Sequence, residues 1–277
     1  MEFDVIGTHW LIEPATVKKQ VGRIERKLAQ IDKTWSRFRD DSLVAQMAVE
    51  VGEYQLSPDD VNLMHWYKDL YDATDGLVTP LIGGTLSDAG YDKEYSLTPA
   101  RAIRQTPVWG DVIELKSDSI IIKQPCLIDV GAAGKGWAVD LIAGICKGDY
   151  CVDAGGDIAV FGKPMSIGLE DPRDTTKLIG VATITNESIC GSALHRRSWG
   201  DWNHVINPVT SRSVKDVLAT WAIAANTMKA DGLATALFFV PPEKLGHLAD
   251  FRYCVFYSDG SVRFSDDGTI KIFTDNN

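Results

Sequence analysis

Basic residues are outnumbered in this chain, and that deficit is the first constraint on what it can bind. The 277 residues carry 28 Lys and Arg against 38 Asp and Glu, a formal net charge of −10. Affinity for nucleic acid rests on a surplus of cations that displaces counterions from phosphate, so this balance argues against a nucleic-acid partner. A local basic pocket for a small anion stays open. Cysteine is also scarce: Cys126, Cys146, Cys151, Cys190 and Cys254 are scattered, with no CxxC pair. An odd, unpatterned set supplies neither a thiolate metal site nor a disulfide framework, and free thiols in a reducing compartment are expected. No run approaches the roughly 18 uninterrupted apolar residues of a membrane span. Met1-Glu2-Phe3-Asp4 has no basic stretch, apolar core or lipid-attachment cysteine behind it. No export signal is read there, and a cytoplasmic location is expected.

What is present is the composition of an ordinary globular protein, 45% apolar and 24% charged. The length suits one large domain or two intimate ones, and a single domain over residues 1–277 is expected. Residues 3–12 read as a strand. Val17, Val21, Ile24, Leu28 and Ile31 recur at steps of four and three, the mark of an amphipathic helix. Residues 32–42 read as a loop. Ser57-Pro58-Asp59-Asp60 is a helix start that should run to Asp75-Gly76. Residues 112–115 and 119–123 read as a hairpin about Lys116-Ser117-Asp118, with the apolar run continuing to 128. Further strands are expected at 150–152, 158–161, 165–169, 179–184 and 217–225. A helix should follow from Asn226-Thr227 to Pro241-Pro242, and then short antiparallel strands at 253–257, 262–264 and 270–273. Strands and helices mix without a regular βαβ rhythm. The expected class is therefore α+β, with mixed or antiparallel sheets and flanking helices.

The densest motif is Asp129-Val130-Gly131-Ala132-Ala133-Gly134-Lys135-Gly136. It reads as a strand-to-helix turn, with the helix over 137–145. Its glycines and alanines leave the backbone open to a ligand, free N–H groups at a helix start favour phosphate, and Lys135 adds a cation. Its GxxGxG spacing is not the GxGxxG of dinucleotide folds, and the GKS/T ending of a Walker A loop is missing. Asp231 and Thr235 lie four apart on one helix face, a carboxylate and a hydroxyl suited to Mg²⁺; alternatively both are structural. His204-Val205-Ile206-Asn207-Pro208 joins an imidazole to a turn, so His204 is either a base or a structural histidine. Asp153-Ala154-Gly155-Gly156-Asp157 reads as a bend, and the segment 191–197 as a small-residue turn carrying Arg196 and Arg197. Trp35, Phe38 and Trp137 are stacking candidates or core.

Taken in order, these pieces resemble the FAD:protein FMN transferases of the ApbE family. The matching elements begin with Ile6-Gly7-Thr8, Ser36-Arg37-Phe38, Asp41-Ser42, and Thr74-Asp75-Gly76 with Thr79-Pro80-Leu81. They continue with the motif from Asp129 to Asp140, Ala154-Gly155-Gly156-Asp157, Cys190-Gly191-Ser192, His204 to Pro208, and the segment from Ala230 to Leu237. The resemblance implies the fold of that family and the transfer of FMN from FAD to a threonine of a target flavoprotein, with release of AMP. It implies Mg²⁺ held by Asp231, Thr235 and the carbonyl of Ala132, with Asp231 and His204 as catalytic residues. It implies FAD contacts from Ile6, Phe38, Leu77, Val78, Thr79, Asp129, Lys135 and Ile206. Three positions depart from the family pattern. Asn207 stands where Asp is usual, residues 78–84 lack the family's carboxylate, and Ile6 replaces a frequent Met. Familiar members are exported lipoproteins, whereas here the acceptor is expected in, or facing, the cytoplasm. The alternatives are an FAD pyrophosphatase and a flavin-binding protein without turnover.

Overall fold

The computed structural model describes residues 1–5, 7–13 and 20–273. Its frame is an eight-stranded sheet whose spatial order follows the chain: Glu2–Val5, Thr8–Glu13, Tyr150–Ala154, Asp157–Phe161, Glu187–Ala193, Val217–Ala224, Phe251–Tyr257 and Val262–Phe264. Every neighbouring pair in it is antiparallel. The side-chain period of two divides each central strand between two cores. Ala222 and Ala224 face the helices, whereas Ala219, Trp221 and Ile223 face a second sheet. Ala159 and Cys190 likewise point one way, and Ile158, Val160 and Ile189 the other. That second sheet consists of Met165–Asp171, Asp174–Ile184 and Ile270–Ile272. Strands covered on both faces explain why Val217–Ala224 is almost continuously apolar.

Seven helices are described: α1 (Val21–Trp35), α2 (Leu43–Met47), α3 (Pro58–Ala73), α4 (Gly83–Asp88), α5 (Trp109–Val112), α6 (Gly134–Ala143) and α7 (Thr227–Ala236). The α6–α7 pair packs on the helical face of the sheet, with α3 against α7. A small sheet of Gly52–Gln55, Ser119–Ile122 and Ile113–Leu115 contains the expected hairpin. The α+β class with antiparallel sheets and flanking helices is the observed architecture.

Several boundaries differ from the sequence reading. Residues 3–12 form two strands, because Val5 pairs with Thr8 about a turn in which Gly7 takes φ +65°. α1 continues through Trp35, whose indole N–H donates to buried Asp60 at 2.6 Å, so part of the expected loop is helix. Val17 lies outside the described residues. The strand from Ser119 stops at Ile122, before Pro125, which has no N–H for a ladder. The turn expected at 191–197 is instead a central strand to Ala193 and a 3₁₀ turn, Leu194–Arg197. α6 begins at Gly134, three residues early, and α7 ends at Ala236, short of Pro241. Ile270–Ile272 joins the second sheet rather than the neighbouring tail strands.

Candidate functional site

α7 is aimed by its N-terminus. Asn226 accepts the N–H of Lys229 at 3.0 Å, and the Asp140 carboxylate of α6 accepts those of Thr227 and Met228, both at 2.8 Å. These caps satisfy orphan donors and place negative charge at the positive helix end. The helices then approach closely at Gly136, where a Cβ would stand 2.3 Å from the Thr227 carbonyl oxygen and 2.7 Å from Asp231 Cβ. The approach lets the Gly136 N–H donate to Asp231 Oδ2 at 2.9 Å. Asp231 is buried, and burial followed by the negative charge of Asp157 raises its pKa well above the carboxylate range. One turn later Thr235 Oγ1 donates to the Ala132 carbonyl at 3.3 Å. One helix and one loop thus bring Asp231, Thr235 and Ala132 together.

That loop is pinned from three sides. The Asp129 carboxylate accepts the Gly131 N–H at 2.7 Å and an ion pair from Arg37, while the Asp129 N–H donates to the Pro80 carbonyl at 2.7 Å. Tyr67, fully buried on α3, accepts the N–H groups of Ala132 at 3.1 Å and Ala133 at 3.0 Å. Its phenol stays protonated, because burial and then the Asp129 and Asp231 charges push its pKa up. From the sequence Tyr67 has no role beyond the helix that opens at Ser57. The missed signal is that a fully buried tyrosine must still find partners for its hydroxyl. Lys135 pairs with buried Asp157. Burial opposes the lysine's charge, but the Asp157 and Asp231 carboxylates outweigh it and raise its pKa.

His204 lies near enough to the loop for the charges of Asp129 and Lys135 to act on it. Its Nδ1 lies 3.3 Å from the Arg197 carbonyl. A carbonyl only accepts, so Nδ1 carries the proton and Nε2 keeps its lone pair. Burial, followed by the Arg197 charge, lowers the His204 pKa to about 4 and keeps the ring neutral. Asn207 closes the adjoining turn by accepting the N–H groups of Val209 at 2.9 Å and Thr210 at 3.1 Å.

The remaining candidates are less uniform. Phe38 stacks on Tyr95, with centroids 5.2 Å apart and planes 8° apart, and packs beside a small core that contains Ile206 and Tyr91. Val78 is core, and Thr79 is buried and caps the turn Pro80–Ile82 by accepting the Leu81 N–H. Leu77 is half-buried against the main core. Ile6 lies outside the described residues. Trp35 is core, and Trp137 lines a separate cleft of about 460 Å³ behind α6.

Among the described residues no group of three or more His, Cys, Asp and Glu side chains could hold a metal. The donors present are one carboxylate, one hydroxyl and one carbonyl, all oxygen, which fits a hard cation such as Mg²⁺ that keeps waters and substrate phosphates. The fit has an electrostatic basis as well. Arg37 and Lys135 are already committed to Asp129 and Asp157, while Asp231 has a backbone N–H but no ion pair among the described residues.

A family model described as "ApbE family" matches residues 6–255. A Rhodobacter capsulatus protein named FAD:protein FMN transferase is 25% identical over 260 residues, and a Haemophilus influenzae protein of the same name is 26% identical over 265. Each alignment covers 85% of this chain. The chain spans about half (48%) of the Rhodobacter protein and 77% of the Haemophilus protein. Among solved structures, the ApbE protein of Thermotoga maritima is similar with a TM-score of 0.82 at 20% identity. The flavin transferase ApbE of Vibrio cholerae gives 0.76 at 18%. Each covers 96% of both chains.

Proposed function

This chain belongs to the ApbE family, and from that premise we propose that it is an FAD:protein FMN transferase, moving FMN from FAD onto a threonine of a target flavoprotein and releasing AMP. The observation that carries the proposal is the convergence of the Ala132 carbonyl and the Thr235 hydroxyl one helical turn from the buried Asp231 carboxylate. The names borne by the two sequence relatives support it.

In this reading the acceptor hydroxyl oxygen forms a bond to the FMN phosphorus as the bridging P–O bond to AMP breaks. The hydroxyl proton passes to His204 Nε2, the nitrogen left free by the Nδ1 contact with Arg197. Phosphoryl transfer depends on positioning and on neutralising charge more than on covalent help. Asp231, Thr235 and Ala132 would hold Mg²⁺, which when bound supplies neutralisation at the pyrophosphate. Arg37 and Lys135 are each paired with a carboxylate, so neither is free to meet the two negative charges of FAD. Asp129, Lys135, Phe38, Ile206, the segment 77–79 and Ile6 are proposed to surround the flavin nucleotide.

Chromatographic assay of AMP from FAD tests this function. AMP should appear only with both Mg²⁺ and an acceptor, and vanish with Asp231→Ala or Thr235→Ala. Tight FAD binding with no AMP under those conditions makes the chain a flavin-binding protein instead.

A further inference from the structure

The peptide that joins Ala132 to Ala133 is held at both edges. Its N–H, on Ala133, donates to Tyr67 Oη at 3.0 Å, and its C=O, on Ala132, accepts from Thr235 Oγ1 at 3.3 Å. In a trans peptide the N–H and C=O of one plane point in opposite directions. A hydroxyl that fixes the N–H on one side therefore fixes where the carbonyl aims on the other. The Ala132 N–H, at 3.1 Å from the same phenol oxygen, pins the preceding plane too. We propose that Tyr67 is a positioning residue for the metal site: its hydroxyl turns the Ala132 carbonyl toward Thr235 and so sets one of the three oxygen ligands.

The proposal rests on the metal reading above, and goes beyond it by adding a residue that never touches the metal. The phenol is suited to the task. It is fully buried and anchored in α3, which packs against α7, so both edges of the peptide are referenced to one rigid unit. The donated N–H also polarises the peptide and makes the Ala132 oxygen a better cation ligand. Between Asp129 and Lys135 the loop carries only Val, Gly and Ala side chains, none of which can hold this peptide.

Tyr67→Phe removes the hydroxyl and keeps the ring. Tyr71→Phe is its control, because the Tyr71 hydroxyl, one turn later on α3, accepts the Trp109 N–H at 3.4 Å, away from the site. Mg²⁺ binding is read without turnover, by calorimetry and by Mg²⁺-induced thermal shift. We expect the Mg²⁺ Kd of Tyr67→Phe to rise on the order of tenfold or more, the usual effect of losing a ligand-orienting partner. Tyr71→Phe should match wild type, and FAD affinity measured without metal should be unchanged in both. Equal Mg²⁺ affinity in Tyr67→Phe and wild type overturns the role of Tyr67. An absence of Mg²⁺ binding in wild type overturns the metal reading itself. Should Tyr67→Phe not fold, amide hydrogen exchange on wild type decides: Ala132 and Ala133 must be protected, and exchange at the rate of exposed loop amides refutes the proposal.

Discussion

Asp231 is held in a position that costs the fold stability, and this gives its role a signature apart from turnover. Its pKa is raised, so between the unfolded carboxylate value of about 4 and the folded one the native state binds the extra proton. Stability from this group falls as pH rises through that window. Asp231→Asn should therefore melt higher than wild type in metal-free buffer at pH 8, with the gap closing toward pH 4. The same variant should lose activity by about 100-fold or more. Thermal denaturation in chelator at several pH values, beside AMP release, checks both. His204 has the opposite sign. Its folded pKa of about 4 lies below the unfolded value. Neutral His204 thus contributes stability above about pH 6.5 that is lost as pH falls toward 4. As a base it should give an acidic limb in kcat near pH 4 rather than 6.5, and His204→Ala should lower the plateau on the order of 100- to 10,000-fold. An unchanged plateau removes His204 from the chemistry.

At the level of elements, the site depends on how closely α6 and α7 cross. Gly136→Ala puts a methyl into the Thr227 carbonyl and Asp231 Cβ, and the helices must separate. We expect a loss of about 1–3 kcal/mol in denaturant unfolding, typical of overpacking, with a weaker Mg²⁺ response. Asp140→Ala removes two helix caps and should cost about 1–2 kcal/mol. Legibility also varied by element. The start of α3 was plain, because Ser57 and Asp60 form a reciprocal capping box with Pro58 at the first helical position. The strand Glu187–Ala193 was hidden, because Cys190-Gly191-Ser192-Ala193 has the composition of a turn. Gly191 is there because a side chain would collide with the Trp221 indole on the neighbouring strand, 2.8 Å from a built Cβ. Packing across a sheet has no local signature. The sequence makes α7 too long because no Gly, Asn or polar break marks its end at Ala236: the apolar run continues to Val240, and Pro241 is the next obligatory stop.

Across the whole molecule, the site draws on segments more than a hundred residues apart, and the order of motifs revealed it better than any one of them. Asp231–Thr235 alone is an ordinary helical pair, and the loop at 129–136 alone suggests an anion nest. Only the family resemblance joins them into one proposed metal site, and the fold brings the Thr235 hydroxyl to the Ala132 carbonyl. What stayed hidden was the internal wiring, Arg37 to Asp129, Lys135 to Asp157 and Tyr67 to two amides, since such partners are set by tertiary contact rather than spacing. The net charge of −10 adds a molecular-scale condition: under the proposed function the charge of the anionic dinucleotide has to be met locally, against the field of the whole protein. The most direct test is mass spectrometry of a flavoprotein acceptor domain incubated with FAD, Mg²⁺ and this protein. The account predicts one FMN phosphoester on a threonine and one AMP per acceptor modified. Free FMN and AMP beside an unmodified acceptor would contradict it and make the protein a pyrophosphatase.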